Sequence, residues 1–544
     1  MSLFRKPAFM HARRNPRRKS FRPGAESFEP RLLPSASSAD VLTYHNDNAR
    51  TGQDLNETIL TPANVNPSDF GKLFTDAVDG AIYAQPLYMA NVSIPGQGVH
   101  NVVFVATEND SVYAFDADKP GAPLWQASFI DPAAGVTAVP TPAAWQGDLS
   151  PEEGITGTPV IDPSTGTLYV VAKTQQTTAS GTVDRLTLHA LDVSTGAEKF
   201  GGPVVVKATV LGRGAGHARG DKVSFQAEWE IERPGLLLAN GVVYASFGSL
   251  GDHGPYHGWV IGYDASTLAK VAVFNDTPNS VDPYDNLGGI WMSGGAPAAD
   301  AEGNLYLLTG SGQFNPAQRS YSDTALKLTP SLHVSDYFTP QGTKQLDKQD
   351  LDLGSGGVLI APSQPGGAPA RLIGGGKVGT LYDIDIDDMG RQRANNRHVQ
   401  AIPNPGHLVF STPAYSNGMV YIHAVNDVLR QYQIVNGQLI GPIAESSTPF
   451  GYPGATPSIS ADGTSDGIVW EVQHTGTRAN PGPAVLYAYD ANDVSQELYN
   501  STLAGTRDQA ATAVKFVVPT IANGKVYVGT STGLTAYGLL DRSG

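Results

Sequence analysis

Ala190-Leu191-Asp192-Val193-Ser194-Thr195-Gly196-Ala197-Glu198-Lys199-Phe200 closes an alternating apolar run with an Asp, a Thr-Gly turn and a returning aromatic. The alternating run that ends in Asp recurs at Val112–Asp116, Val260–Asp264 and Leu486–Asp490, and in weaker form at Ala325–Thr329, Leu381–Asp385, Leu429–Gln433 and Leu534–Gly538. The last positions of these copies lie 48 to 76 residues apart, a period typical of repeat architectures, with insertions in the early copies. Ahead of most copies stands a small residue, Pro, an apolar strand, a tight turn and a second strand. Ser411-Thr412-Pro413-Ala414-Tyr415-Ser416-Asn417-Gly418-Met419-Val420-Tyr421 and Val517–Tyr527 are close twins. Asn-Gly between apolar runs marks a two-residue hairpin, because both residues tolerate positive φ. Trp125, Phe338 and Tyr499 return nine residues after the copy's last position, at the offset where a ring can pack between sheets.

Each unit therefore predicts three or four antiparallel strands. One such sheet cannot bury both faces, whereas eight arranged radially can. The expected fold is all-β: an eight-bladed β-propeller of four-stranded antiparallel blades. Unit eight, Lys515–Leu540, stops before its fourth strand. The unpaired run Phe70–Val78 ahead of unit one is expected to supply it, so that an N-terminal strand closes the ring and removes an edge. Tyr44–Asn66 reads as an ordered strap before that strand.

Composition agrees. Of 544 residues, 61 are Gly and 39 Pro, 16% are charged and 40% apolar, which suits short strands and turns rather than helical bundles. No cysteine is present, which excludes disulfides, Cys-ligated metals and a thiol nucleophile. Nine of the 36 basic residues but two of the 51 acidic ones fall in residues 1–31, leaving the rest at net −22. An acidic body repels phosphate backbones, so no nucleic-acid partner is expected. No run of 18 apolar residues suggests a membrane-spanning helix. Two parts follow: residues 1–40, a basic, aperiodic leader or targeting segment, and residues 41–544, a single propeller with its strap, expected to be a monomer.

Two resemblances rest on these residues. The Arg cluster followed by Phe28-Glu29-Pro30-Arg31-Leu32-Leu33-Pro34-Ser35 resembles the leader of many planctomycete surface and exported proteins, with Phe28 where Leu is usual. It implies a bacterial, extracytoplasmic protein. The segments Ala114–Trp125 and Ala190–Phe200 resemble the Ala-x-Asp-x-x-Thr-Gly-x-x-x-Trp repeat of quinoprotein alcohol dehydrogenase-like (PQQ-like repeat) propellers, over about residues 70–541. Cofactor-using members hold pyrroloquinoline quinone (PQQ) between a vicinal disulfide and a Trp, beside Ca²⁺. A chain without Cys lacks that disulfide.

Three clusters are candidates for chemistry. Asp252, His253 and His257, with Glu228 or Glu230 nearby, are possible metal ligands, set against a polar inter-strand loop packed by Tyr256 and Trp259. Trp291, in the glycine-rich Gly288–Pro297 stretch, is a candidate floor for a planar cofactor, set against a plain plug at the ring axis. Asp347, Asp350 and Asp352, and the run Asp383–Asp388, resemble Ca²⁺-binding carboxylates, set against solvated turns. The leading reading is a non-catalytic binding scaffold with a protein or carbohydrate partner at its rim or channel. A PQQ- and Ca²⁺-dependent dehydrogenase of alcohols or sugars, and a metal-assisted hydrolase or lyase, are the alternatives.

Overall fold

A computed structural model describes residues 39–141, 149–280, 287–364, 366–477 and 480–541; all but the last two residues of the basic leader lie outside them. Each of the eight recurring segments is the third strand of an antiparallel sheet. In unit one the strands are Leu87–Ile94, Gly98–Ala106, Ser111–Asp116 and Trp125–Ser128, paired in chain order. Units two and three carry extra short strands on the same plan. Phe70–Ala77 pairs antiparallel with Gly533–Leu539, so unit eight takes its fourth strand from the N-terminal side of the chain.

Alternation explains the packing. In unit one, Val102, Phe104 and Val112 face unit two, where they meet Leu168, Val170 and Leu191. Their neighbours Val103, Val105 and Phe115 face the other way, onto Tyr527, Leu534 and Ala536 of unit eight. Both faces of the sheet are thus covered, which is why its strands read as nearly continuous apolar runs. Units two and three share a core through Tyr169, Leu188, Val243 and Ile261. Further shared cores join units three to five, five to six, six to seven and seven to eight. Each fully buried Leu, Val or Phe contributes about 1.5–3 kcal/mol to this stack.

The repeated Asp has a local cause. Asp116, Asp192, Asp264, Asp385 and Asp490 each accept the backbone N–H two residues on through Oδ1, at 2.8–3.0 Å, and fold the turn after the third strand. The carbonyl one residue after that position then serves the neighbouring unit. Trp125 Nε1 donates to Val193 O, Tyr169 OH to Ala265 O, Tyr244 OH to Pro330 O and Tyr421 OH to Ala491 O, at 2.6–2.9 Å. Tyr527 OH of unit eight donates to Ala117 O of unit one at 2.9 Å, so the same bond joins the last unit to the first. In unit two, Thr195-Gly196 makes room for this seam. Gly196 sits at φ 70°, and a Cβ there would lie 2.6 Å from the Trp125 ring.

The strap visits every unit in order. Tyr88 N donates to Val41 O, Ile161 N to Leu42 O, Ala299 N to Asn48 O, Ile360 N to Ala49 O, Tyr415 N to Thr51 O and Ile459 N to Gly52 O, all at 2.6–2.9 Å. Asn48 Nδ2 reaches Leu238 O of unit three, and Gly524 N of unit eight donates to Glu57 Oε2. These partners sit on or beside the first strand of each unit, whose N–H groups would otherwise form an unpaired edge. Arg50, fully buried, anchors the strap through Pro297 O, Thr43 Oγ1, Tyr44 O, Asp47 O and Leu236 O. Among the described residues no helix is long and apolar enough to cross a membrane.

Candidate functional site

The loops that enter the first strands of several units meet in one cavity of about 320 Å³. Arg233, Ser293, Phe410 and Phe516 line it, and two or three residues further along the same loops lie the strap's neighbours Leu236, Ala296, Thr412 and Val518. Tyr44 packs against Ala296 and Val518, and its OH shares a 2.8 Å hydrogen bond with Thr412 Oγ1. The strap therefore lies directly behind the residues that line this cup.

Trp291 is in the cavity wall, half-buried and edge-on to Tyr256 with ring centroids 6.0 Å apart. Its glycine-rich loop is fixed by Asp276, whose carboxylate accepts the N–H groups of Gly258 and Gly289 at 2.8 and 2.9 Å. Gly288, at φ 84°, admits this carboxylate, since a Cβ there would lie 2.3 Å from Asp276 Oδ2. Met292 and Ser293 follow at φ 48° and 47°, and Phe516 across the cup at 66°. Non-glycine residues held in this region cost about 1–3 kcal/mol each, and such strain gathers at binding sites.

Three aromatic rings form one wall. Phe410 lies 5.4 Å from Tyr452 and 6.1 Å from Phe516, and Tyr452 lies 6.2 Å from Phe516. The Arg233 guanidinium sits over the Phe516 ring at 4.7 Å. Lys377 is held between Asp350 and Asp352 at 2.8 and 2.7 Å. This lysine answers the acidic group read from the sequence: Asp350 and Asp352 form an ion-pair wall, while Asp347 is buried in the short helix Thr343–Lys348. The second acidic run is divided: Asp383 is fully buried and accepts from Arg371 Nε at 2.6 Å, whereas Asp387 and Asp388 are exposed in the turn that follows.

The proposed metal ligands are not brought together. Both ring nitrogens of His257 are engaged, Nδ1 with Thr277 Oγ1 at 2.8 Å and Nε2 with Ala215 O at 3.0 Å. Burial lowers its pKa to about 4, so it stays neutral. Glu230 Oε1 accepts from His257 N and from Trp259 Nε1, and Glu228 is exposed. Asp252 and His253 are exposed on the same loop. The pattern that resembled a metal motif packs a loop, as Tyr256 and Trp259, both buried, indicate. Among the described residues no group of three or more His, Asp or Glu side chains is placed to hold a metal.

Several acids are buried, and of these Asp352 lines the cup. Burial raises Glu108 to about 8, and Asp276 and Asp352 to about 6; it pushes Asp110, Glu230 and Glu232 well above the carboxylate range. In the unfolded chain these groups release their protons near pH 4. Between pH 4 and pH 8 the folded state thus holds more protons than the unfolded state, and stability falls as pH rises. Thermal unfolding should show a higher midpoint at pH 5 than at pH 8, and Glu108→Gln should reduce that difference; a midpoint that rises with pH over this range would contradict the burial argument.

No family model and no curated protein matches the chain. Solved structures do. The chain is similar to a europium-containing methanol dehydrogenase at 14% identity and a TM-score of 0.60, over 92% of this chain and 98% of that one. It is similar to a quinohemoprotein alcohol dehydrogenase of Pseudomonas putida at 16% identity and a TM-score of 0.57, over 92% of this chain and 80% of that one. The shared property is the β-propeller fold.

Proposed function

We propose that this chain is an extracytoplasmic, non-catalytic eight-bladed propeller, closed by Phe70–Ala77, that binds carbohydrate in the cup above its strap. Eight sheets, the core and seam between units eight and one, and a strap that touches every unit in turn support the ring. The observation that carries the function is the wall of Phe410, Tyr452 and Phe516 facing the same small cup as Asp352, whose Oδ1 is buried without a hydrogen-bond partner. Sugar rings offer aromatic side chains a C–H face and offer buried acceptors a hydroxyl, and the cup matches the lower end of ligand-pocket volumes, about 300–1,000 Å³. Ser293 and Ser355 donate to the carbonyls of Ser355 and Val409 rather than to a base, so neither is an activated nucleophile.

PQQ and Ca²⁺ fit the described residues poorly. One face has Trp291, but the opposing disulfide has no cysteines, no acidic trio is placed for the cation, and Lys377 is neutralised by its two aspartates. The extracytoplasmic location rests on the leader in residues 1–40, and recovery of the protein in the cytoplasmic fraction alone would refute it.

Calorimetric titration of the full chain with a panel of mono- and oligosaccharides tests the binding reading. At least one neutral or acidic sugar should bind saturably, and Tyr452→Ala should weaken it about tenfold, the loss of one ring contact of roughly 1.4 kcal/mol. Saturable micromolar binding of PQQ with Ca²⁺, abolished by Trp291→Ala, together with no sugar binding, would overturn this reading in favour of the dehydrogenase.

A further inference from the structure

Arg233 is a buried cation whose charge is not answered. The residue is 9% exposed and lines the cup. Its guanidinium face covers Phe516, and among the described residues no carboxylate or carbonyl takes its N–H groups. The other buried guanidiniums behave differently: Arg50 is spent on carbonyls and Arg371 on Asp383. Glu108, the carboxyl within electrostatic reach, is kept protonated near neutrality by burial, so it does not neutralise Arg233. None of its nitrogens is among the fully buried polar atoms without a partner, so the guanidinium opens to the cup. Stacking on Phe516 leaves its edge, with its fork of donors, free to receive a carboxylate.

We propose that the ligand of this cup is an acidic sugar, a uronate whose carboxylate is received by Arg233. The inference rests on the carbohydrate reading above and narrows it. Three features select this class. Arg233 calls for an oxyanion. Asp352 Oδ1, buried and without a partner, calls for a donor, and because its other oxygen already pairs with Lys377 at 2.7 Å, a neutral hydroxyl suits it better than an ammonium. Phe410, Tyr452 and Phe516 call for a body with an apolar face. A bare inorganic anion would leave most of the cup and all of that wall in water.

The test is calorimetric titration of the full chain with glucuronate and with glucose at pH 7, on the unchanged protein and on Arg233→Gln and Arg233→Lys. Glucuronate should bind at least tenfold more tightly than glucose, and added salt should shrink the difference. Arg233→Gln should reduce glucuronate to the level of glucose while leaving the unfolding midpoint unchanged, because no hydrogen bond or ion pair among the described residues is lost. Arg233→Lys should keep part of the preference and serves as the readout where the Gln variant does not fold. Equal binding of the two sugars to the unchanged protein would overturn the acidic-sugar inference and leave the carbohydrate reading standing. Binding of neither would overturn both. A glucuronate preference that survives both substitutions would remove Arg233 from the site and the inference with it.

Discussion

Replacing Arg50 with Met should destabilise the protein by about 3–5 kcal/mol, because several buried acceptors lose their donor at once. The guanidinium is fully buried and donates to Thr43 Oγ1 and to the carbonyls of Tyr44, Asp47, Pro297 and Leu236. Burial lowers its pKa to about 10, so at pH 7 it remains charged and every donor is present. Met fills part of the volume but answers none of these acceptors, and each buried carbonyl left without a donor costs about 1–3 kcal/mol. Two of the acceptors, Pro297 and Leu236, lie at the first strands of units four and three, so the loss loosens the strap where it meets the loops that line the cup. Arg50→Lys should also destabilise, since one ammonium cannot span acceptors arranged around a planar fork. Equilibrium denaturation measures both variants, and an unchanged midpoint for Arg50→Met would mean that the strap is not held by this residue.

The units were legible because their signals are local. An Asp that caps its own turn, as Asp192 does for Ser194, must stand at the strand end, and Gly196 must follow to admit Trp125. The missing fourth strand of unit eight was legible for a related reason, since an apolar alternating run such as Phe70–Val78 has no neighbour of its own in sequence. The strap's role was not legible. Arg50 and its acceptors Leu236 and Pro297 are separated by 186 and 247 residues, and nothing near Arg50 marks it as buried. Arg233 was missed likewise: an Arg before Pro234 looks like a surface loop, and only the meeting of loops from several units buries it over Phe516. The His253–His257 stretch misled in the opposite direction. Its residue types suit a metal, but Thr277 and Ala215, from outside the loop, use both nitrogens of His257. Trp291 was singled out by its flanking glycines, and it stands in the cavity wall.

Closure predicts the other large effect. Phe70→Ala should cost about 3–5 kcal/mol, the usual loss for removing a phenyl ring from a packed core. The side chain is fully buried, with ring centroids 5.4 Å from Trp470, 5.0 Å from Tyr499 and 6.5 Å from Tyr537, so it joins the seventh and eighth sheets. Its backbone begins the strand that pairs with Gly533–Leu539, and Arg507 and Asp508 hold the same point through Phe70 O and Lys72 N at 3.1 and 3.0 Å. In the ring proposed above, this strand would replace the covalent continuity that every other unit has. Weakening it exposes the edge of Gly533–Leu539 and uncovers Tyr537, so the damage should spread to the Tyr527–Ala117 seam with unit one. Thr75→Ala, on the exposed side of the same strand, should change stability by less than about 0.5 kcal/mol. Hydrogen exchange on the two variants separates the cases: Phe70→Ala should raise exchange at Leu534–Tyr537 and at Ala117, whereas protection unchanged at both places would mean that the strand lies on the ring without closing it.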